Sequence, residues 1–492
     1  MTNYFKDIAK HGSIYLVGNL LSKAIGFVMI PIYTRHLTTA DYGTLELLTS
    51  VSTVLSMILG LRLSSGLFRF YFEYDTKEGR DHLVSTCTIF IVLMSLGVLL
   101  VLTSGREAIS TLVFGTSDYA DYFIFVFFAL VFEIGNTVAF SYLRILEKSV
   151  LYVLISIVQL AVGLGLNIYL IVFLEMGVQG VLWSMVISNG LVWLFGLIYI
   201  FTNVGLHFEG SRLKQPLVFG IPMIPAGLLI FILNMGDRFL LEWFSNESEV
   251  GIYALGYKFG MLLSFFVGTP FAAIWGPKRV EIYKDSPDRD EIYARVFTYL
   301  VFILLFLGLA ISVLARDVLT VMAKPDFWPA YRVAPFVVAG YFFYNLYYYV
   351  DIGFYINNKT FWYPIINGIA AATNIGLNLI LIPRFGAMGA AVTTTISFAI
   401  CPILAVLISG RYYKIPYDVR RLIQLVAATG LIYVISITVS TSTLWLDLLV
   451  KGALIIVYPA ALCFIGFFED REVQFIKLGL QRCLHFKRAV QK

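Results

Sequence analysis

The chain has 492 residues, 59% of them hydrophobic and only 14% charged, with 36 Lys and Arg against 31 Asp and Glu. So few charges cannot cover a soluble protein of this length, and they cluster, leaving uncharged runs such as 89–104 and 297–315. Such runs approach the ~20 residues a helix needs to cross ~30 Å of hydrocarbon. The composition therefore excludes a large soluble protein and a nucleic-acid binder, and it indicates an all-α membrane protein.

Apolar runs and charge breaks predict fourteen transmembrane helices, at 12–34, 44–66, 83–103, 119–142, 151–173, 179–202, 216–241, 252–275, 294–315, 333–356, 361–382, 387–409, 420–440 and 446–468. They divide into an N-lobe (1–211, helices 1–6), a C-lobe (212–415, helices 7–12), two further helices (416–470) and a basic tail (471–492). The first span follows a basic start but has no persuasive cleavage site, so it reads as a retained span, not a signal peptide. An even number of spans puts both termini on one side. Lys and Arg concentrate on that side, at 77–80, 212–214, 278–295, 411–421 and after Glu469, which predicts cytoplasmic termini. The tail, with Lys477, Arg482, Lys487 and Arg488 among apolar residues, reads either as an amphipathic helix on anionic lipid or as a solvated basic segment. Cys87, Cys401, Cys463 and Cys483 are scattered and show neither a disulfide framework nor metal-ligand spacing.

Four basic residues fall within or near the ends of predicted spans 1, 2, 7 and 8: Lys23, Arg62, Arg238 and Lys258. Charge inside a bilayer is costly unless it meets water or a partner, and it is functional by default. The four predict a cationic cavity suited to an anionic head group such as a pyrophosphate, which Arg grips bidentately and Lys as a point charge. Glu46, Glu133 and Asp351 are candidate proton relays or counter-charges to those cations. Pro222 and Pro225 break span 7 into a kinked segment, either a hinge or a static bend. The aromatic run 341–349 packs or sits at the interface.

Span 11 carries Asn374 and Asn378 one turn apart, on one face. With Asp237 in span 7 and Thr394 in span 12, they offer a carboxylate, two amide oxygens and a hydroxyl, the hard donors of a small cation. The alternative is that these groups join helices as interhelical hydrogen bonds.

Several of these segments recur. Gly165-Leu166-Asn167, Gly177-Val178-Gln179-Gly180 and Ile187-Ser188 are echoed roughly 210 residues later by Gly376-Leu377-Asn378, Gly386-Ala387-Met388-Gly389 and Ile396-Ser397. Asp41-Tyr42-Gly43 is echoed by Glu249-Val250-Gly251. A chain built twice from apolar spans predicts two pseudo-symmetric six-helix lobes around a central cavity, the design of a transporter. The glycines read as tight turns and close packing, since no GKT or GKS follows them. Asn374 maps to Gly163 in the first copy, so the candidate cation site belongs to the second lobe only. A carboxylate-rich cation or drug exporter fits the charge sign less well. A membrane enzyme of polysaccharide assembly would want paired polar groups on an external loop, which are missing here. A scaffold of envelope assembly is also compatible with the sequence.

The pattern Pro31-Ile32-Tyr33-Thr34-Arg35-His36-Leu37 with Asp41-Tyr42-Gly43, the segment Gly60-Leu61 to Gly66-Leu67-Phe68-Arg69-Phe70-Tyr71, the two Gly-x-x-Gly repeats and Glu249-Val250-Gly251-Ile252-Tyr253 resemble the Wzx-like polysaccharide flippases. These belong to the multidrug/oligosaccharidyl-lipid/polysaccharide exporter superfamily. The resemblance covers nearly the whole chain. It implies two six-helix bundles around a V-shaped cavity, plus two extra helices. It also implies movement of an undecaprenyl-pyrophosphate-linked oligosaccharide to the outer leaflet of a bacterial inner membrane, among membrane lipids and other polysaccharide assembly proteins, with no chemical step and no cofactor. The related lipid II flippases bind sodium on helices 7, 11 and 12, which implies Na+ as a coupling ion at Asp237, Asn374, Asn378 and Thr394. Where that site has a second acid on helix 11, this chain has Asn378. A Na+ or H+ gradient is the implied energy source.

Overall fold

The computed structural model describes residues 26–439 and 443–469; Lys23 and the tail from Arg471 lie outside them. Among the described residues every regular element is helical. In hydrocarbon a backbone must satisfy its own hydrogen bonds, and an α-helix does so within one segment. Eleven helices among the described residues are long and apolar enough to cross a membrane.

The first half contains α1 (Ile30–His36), α2 (Thr39–Leu59), α3 (Leu63–Phe70), α4 (Lys77–Ser104), α5 (Arg106–Phe114), α6 (Ala120–Ile145), α7 (Ser149–Ile168) and α8 (Gly177–Val204). Then follow α9 (Lys214–Gly220), α10 (Ile224–Met235), α11 (Asp237–Phe244), α12 (Glu247–Leu263), α13 (Thr269–Asp285), α14 (Arg289–Met322), α15 (Ala330–Val350) and α16 (Ile352–Ile356). The chain closes with α17 (Trp362–Ser409), α18 (Val419–Thr438) and α19 (Leu444–Phe464).

The differences from the predicted spans have local causes. Predicted span 2 is cut at Leu61 and Arg62, both left-handed (φ 49° and 51°), a conformation costly for side chains with a Cβ. Span 7 is cut at a 3-10 turn, Ile221–Met223, where Pro222 and Pro225 remove backbone donors. Spans 11 and 12 form one helical run, with Gly386 (φ 52°, ψ −133°) as the non-helical residue at the junction. Span 10 corresponds to α15 and α16, which lie outside the eleven candidate spans.

The chain forms two compact units. The first comprises Met1–Lys258, Leu319–Val337 and Phe361–Cys401. In it, α2 starts in a capping box: Thr38 Oγ1 accepts the Asp41 amide at 3.1 Å and Asp41 accepts the Thr38 amide at 3.0 Å. Leu63, Leu67, Leu83, Leu130 and Ile134 join one apolar core.

The sequence echo has a physical counterpart here. A Cβ on Gly43 would fall 1.8 Å from the Glu247 carbonyl oxygen, and one on Gly251 would fall 2.1 Å from the Thr39 carbonyl oxygen. Thr39 and Ser248 share a hydrogen bond of 2.7 Å between them. The repeat-related turns therefore pack on each other reciprocally, and only glycine permits that approach. Gly43→Val should lower the stability of the purified protein by roughly 1–3 kcal/mol through overpacking, read from its melting temperature in detergent. An unchanged melting temperature would mean that the two turns separate freely.

The second unit comprises Phe259–Val318, Val338–Thr360 and Pro402–Lys492. It buries ions of its own. Arg279 meets Asp351 at 2.5 Å and lies 3.7 Å over the Tyr355 ring. Lys451 donates to both Asp317 oxygens at 2.7 and 3.0 Å. Trp275 stacks on Tyr349 at 4.7 Å. Lys451 falls near the start of predicted span 14 but is 5% exposed, so a span-end position in sequence did not mean a solvated one.

Candidate functional site

The charged centre of the first unit is built around Glu46, on α2. Its Oε1 lies 3.1 Å from Lys258 Nζ, and its Oε2 lies 3.6 Å from Arg238 Nε. Arg238 Nη1 also lies 3.4 Å from Asp237 Oδ1 and donates to the Asn234 carbonyl at 3.1 Å. Arg238 is 2% exposed and Asp237 0%. Aromatic faces complete the surroundings: the Arg238 guanidinium sits 4.7 Å over Tyr257, and Lys258 Nζ sits 4.7 Å over Tyr42 and donates to its hydroxyl. Two acids thus balance two cations, with Asp237 and Arg238 buried and Glu46 and Lys258 partly exposed.

Arg62 is placed differently. It is half-buried at the left-handed break between α2 and α3. A Cβ on Gly227 of α10 would lie 3.0 Å from Arg62 Nη2, so the guanidinium crosses α10 at its one residue without a side chain. No ion pair to Arg62 occurs among the described residues. The stretch of α2 from Glu46 to Leu59 is roughly 20 Å of helix, so Arg62 stands well apart from the Glu46 centre. The basic residues expected to form one group therefore occupy two depths, and Lys23 lies outside the described residues.

The candidate cation residues also divide. Asp237 Oδ2 accepts from the Tyr253 hydroxyl and from Thr394 Oγ1, the latter at 3.1 Å. Tyr253 and Thr394 are themselves 3.0 Å apart. Asn378 Nδ2 donates to Asn374 Oδ1 at 3.0 Å, and both residues are at most 1% exposed. Asn378 Oδ1 and Asn374 Nδ2 are buried with no hydrogen-bond partner, as are Thr393 Oγ1 and Ser397 Oγ. Buried polar atoms are normally paired. Of the four candidate cation residues, Asp237 and Thr394 bond each other and Tyr253, Asn374 Oδ1 accepts from Asn378, and the Asn378 oxygen is the one left without a partner among the described residues.

Glu133, on α6, has Ser56 Oγ at 3.4 Å and no ion-pair partner among the described residues. Asp351 is the counter-charge of Arg279 in the second unit. Sequence reasoning gave no site role to Tyr42, Tyr253 and Tyr257, which face the charges. For two of them the signal was available in the one-turn spacing of Tyr253 and Tyr257 on α12, with Lys258 next to the second.

On α11, Glu242 has a buried Oε2 with no hydrogen-bond partner. Burial, with a smaller contribution from the Glu247 carboxylate, pushes its carboxyl from 4.5 up to about 7. The folded state then holds a proton that the unfolded chain has released, so stability falls as pH rises from 4.5 toward 7. Glu242→Gln should raise the melting temperature at about pH 8 and change it little at about pH 4. An equal effect at both would show that this carboxyl is solvated.

Comparison with known proteins places the fold. A family model described as polysaccharide biosynthesis protein matches residues 8–282. An uncharacterized membrane protein of Haemophilus influenzae is 24% identical over 267 residues, covering 53% of this chain and 62% of that protein. The chain spans less than two thirds of the length of the curated relatives it matches. Among solved structures it is similar to the lipid II flippase MurJ in an inward closed conformation, with TM-score 0.75 and 14% identity, over 90% of this chain and 97% of that one. It is also similar to an inward-facing multidrug resistance MATE family transporter of the MOP superfamily, with TM-score 0.62 and 15% identity, over 82% and 96% of the two chains. At these identities the likeness shows the fold, an all-α architecture shared with MurJ and MATE transporters.

Proposed function

The chain belongs to the polysaccharide biosynthesis protein family, and from that premise we propose that it is a flippase for an undecaprenyl-pyrophosphate-linked oligosaccharide. It carries this substrate from the cytoplasmic to the outer leaflet of a bacterial inner membrane, with both termini cytoplasmic and other polysaccharide assembly proteins nearby. The observation that carries the reading is Arg62: a half-buried cation in a membrane protein, with no ion-pair partner among the described residues. Charge held at that cost calls for an anionic ligand, and a guanidinium matches phosphate bidentately.

Pyrophosphate and sugars cannot cross hydrocarbon bare. Two lobes, residues 1–211 and 212–415, provide a wet path for them while the polyprenyl tail stays in lipid. Arg62 meets the head group first. Deeper in, Arg238 and Lys258 exchange part of their contact with Glu46 for the pyrophosphate, and Lys23 adds to the same charge. In the orientation implied by the Lys and Arg distribution, the Gly43–Gly251 contact lies on the outer side, so the described state is closed outward. Exchange of lobe contacts then opens the other side.

Asp237, Thr394 and Asn378 hold sodium when it is the coupling ion, and Asn374 orients Asn378. Sodium there supplies positive charge to Asp237. Glu133, with no ion-pair partner among the described residues, is the group that takes a proton if the gradient is H+.

Purified protein in liposomes should move a fluorescent undecaprenyl-pyrophosphate-linked oligosaccharide across the bilayer well above the empty-vesicle rate. A sodium or proton gradient should change that rate. Translocation no faster than in empty vesicles would remove the flippase reading.

A further inference from the structure

Between Glu46 and Arg62, α2 carries an uncharged polar face. Thr49, Thr53 and Ser56 follow Glu46 at steps of three, four and three residues, the spacing of one side of a helix. All three are half-buried, whereas Leu47, Leu48 and Val51 on the other sides are buried. The facing wall comes from α10. Asn234 lies about two turns after Gly227 and one turn before Arg238. Those two residues meet Arg62 and Glu46, so Asn234 shares the side turned toward α2. From α6, Glu133 reaches the same strip, with its Oε1 3.4 Å from Ser56 Oγ.

The protons of this strip are already in use. Thr49 and Thr53 donate their hydroxyls to the Leu45 and Thr49 carbonyls, each at 2.8 Å. Asn234 Nδ2 donates to the Ile230 carbonyl at 2.8 Å. Ser56 turns its hydroxyl toward Glu133, and an ionised carboxylate only accepts. What these side chains still offer is lone pairs. A ligand lying along them has to bring its own donors, which hydroxyls and amines do and a carboxylate does not. A carboxylate inside a membrane helix with no ion-pair partner among the described residues also calls for a polar neighbour.

We infer that Thr49, Thr53, Ser56, Asn234 and Glu133 form the sugar subsite, an acceptor-lined strip that takes neutral or amino sugars next to the pyrophosphate and rejects acidic ones. Glu133 is its specificity-determining residue. The subsite deepens the flippase reading above by naming the class of sugar, and it rests on that reading for the substrate. From Thr49 to Ser56 the strip is roughly 10 Å of helix, and Arg62 follows Ser56 by about two turns of chain. A pyrophosphate at Arg62 therefore sets its first sugar beside Ser56 and Glu133. Sugar hydroxyls donate to the threonine and asparagine oxygens and to the carboxylate, and the ammonium of an amino sugar pairs with Glu133. A uronic acid sets a second carboxylate against Glu133, and two carboxylates sharing one site disfavour each other.

The test is binding to the full chain in lipid nanodiscs, with undecaprenyl pyrophosphate as the probe in three forms: without sugar, bearing one glucose, and bearing one glucuronic acid. The parent should bind the glucose form at least about tenfold tighter than the glucuronic acid form, and tighter than the sugar-free lipid. Glu133→Gln keeps the side chain's size and should bring the two sugar forms within about twofold of each other. Thr53→Val keeps the shape and loses the acceptor. It should weaken binding of the glucose form by roughly two- to tenfold, the range of one hydrogen bond, and narrow its lead over the sugar-free lipid. Thr53→Val carries the test alone if Glu133→Gln does not fold. Equal binding of the two sugar forms by the parent, or a glucose preference that survives in these variants, overturns the subsite. So does a Glu133→Gln effect of equal size on both forms, which would leave that residue as a proton acceptor only. The head group is scored separately, as the sugar-free lipid against undecaprenol. A pyrophosphate preference without a glucose preference would keep the flippase reading and remove the subsite. A glucose preference without a pyrophosphate preference would keep the subsite and remove the head-group role of the cations. No binding of any form would remove both.

Discussion

Arg62→Ala should slow translocation of the lipid-linked oligosaccharide by roughly 10- to 100-fold, the loss that follows from one hydrogen bond to a charged group worth about 1.5–3 kcal/mol. The melting temperature should move little, because no acid is left behind: Arg62 has no ion-pair partner among the described residues. Arg62→Lys should recover part of the rate, since an ammonium keeps the charge but loses the planar fork. Gly227→Leu offers an independent check from the other side. Its side chain would occupy the space the guanidinium crosses, where even a Cβ comes within 3.0 Å of Nη2. It should therefore reproduce the transport defect with Arg62 intact. Full transport by Arg62→Ala, at normal abundance, would leave the head group without its first contact.

Glu46→Ala should have the largest effect on the fold. Glu46 is the common counter-charge of Lys258 and Arg238. Removing one partner of a buried pair costs about 3–5 kcal/mol, mostly because the other charge stays behind unpaired. Arg238 keeps Asp237 at 3.4 Å, whereas among the described residues Lys258 keeps only the Tyr42 hydroxyl and ring. The double variant Glu46→Ala with Lys258→Met should therefore recover most of the stability lost by Glu46→Ala alone. Its transport should remain impaired, because Lys258 is one of the head-group cations. Thermal melting in detergent separates the two. A double variant no more stable than Glu46→Ala would place the instability elsewhere on α2.

The helices were legible because each apolar run is long and most breaks carry charge. The break in span 7 was legible because Pro222 and Pro225 announce it. The break at Leu61 and Arg62 was not, because neither residue favours a left-handed backbone, and the conformation is imposed by packing: a Cβ on Gly220 would lie 2.4 Å from the Leu61 carbonyl oxygen. The repeat placed Gly43 and Gly251 in equivalent positions, and the fold brings them together. Which charge meets which could not be read, since Glu46 and Arg238 are far apart in the chain and pairing is a property of packing. The four basic residues therefore read as one cationic group, whereas Glu46 and Asp237 balance two of them and Arg62 stands apart. The tyrosines that face Asp237, Arg238 and Lys258 were hidden for a simpler reason: aromatic residues on membrane helices have ordinary interfacial and packing uses.

The most direct measurement of the central claim is binding of undecaprenyl pyrophosphate and of undecaprenol to the purified protein in lipid nanodiscs. A head-group contact at Arg62 predicts that the pyrophosphate binds at least about tenfold tighter than the alcohol, that added salt weakens this preference, and that Arg62→Ala removes most of it. Equal binding of the two lipids, unaffected by Arg62→Ala, would contradict an anionic head group as what these cations hold.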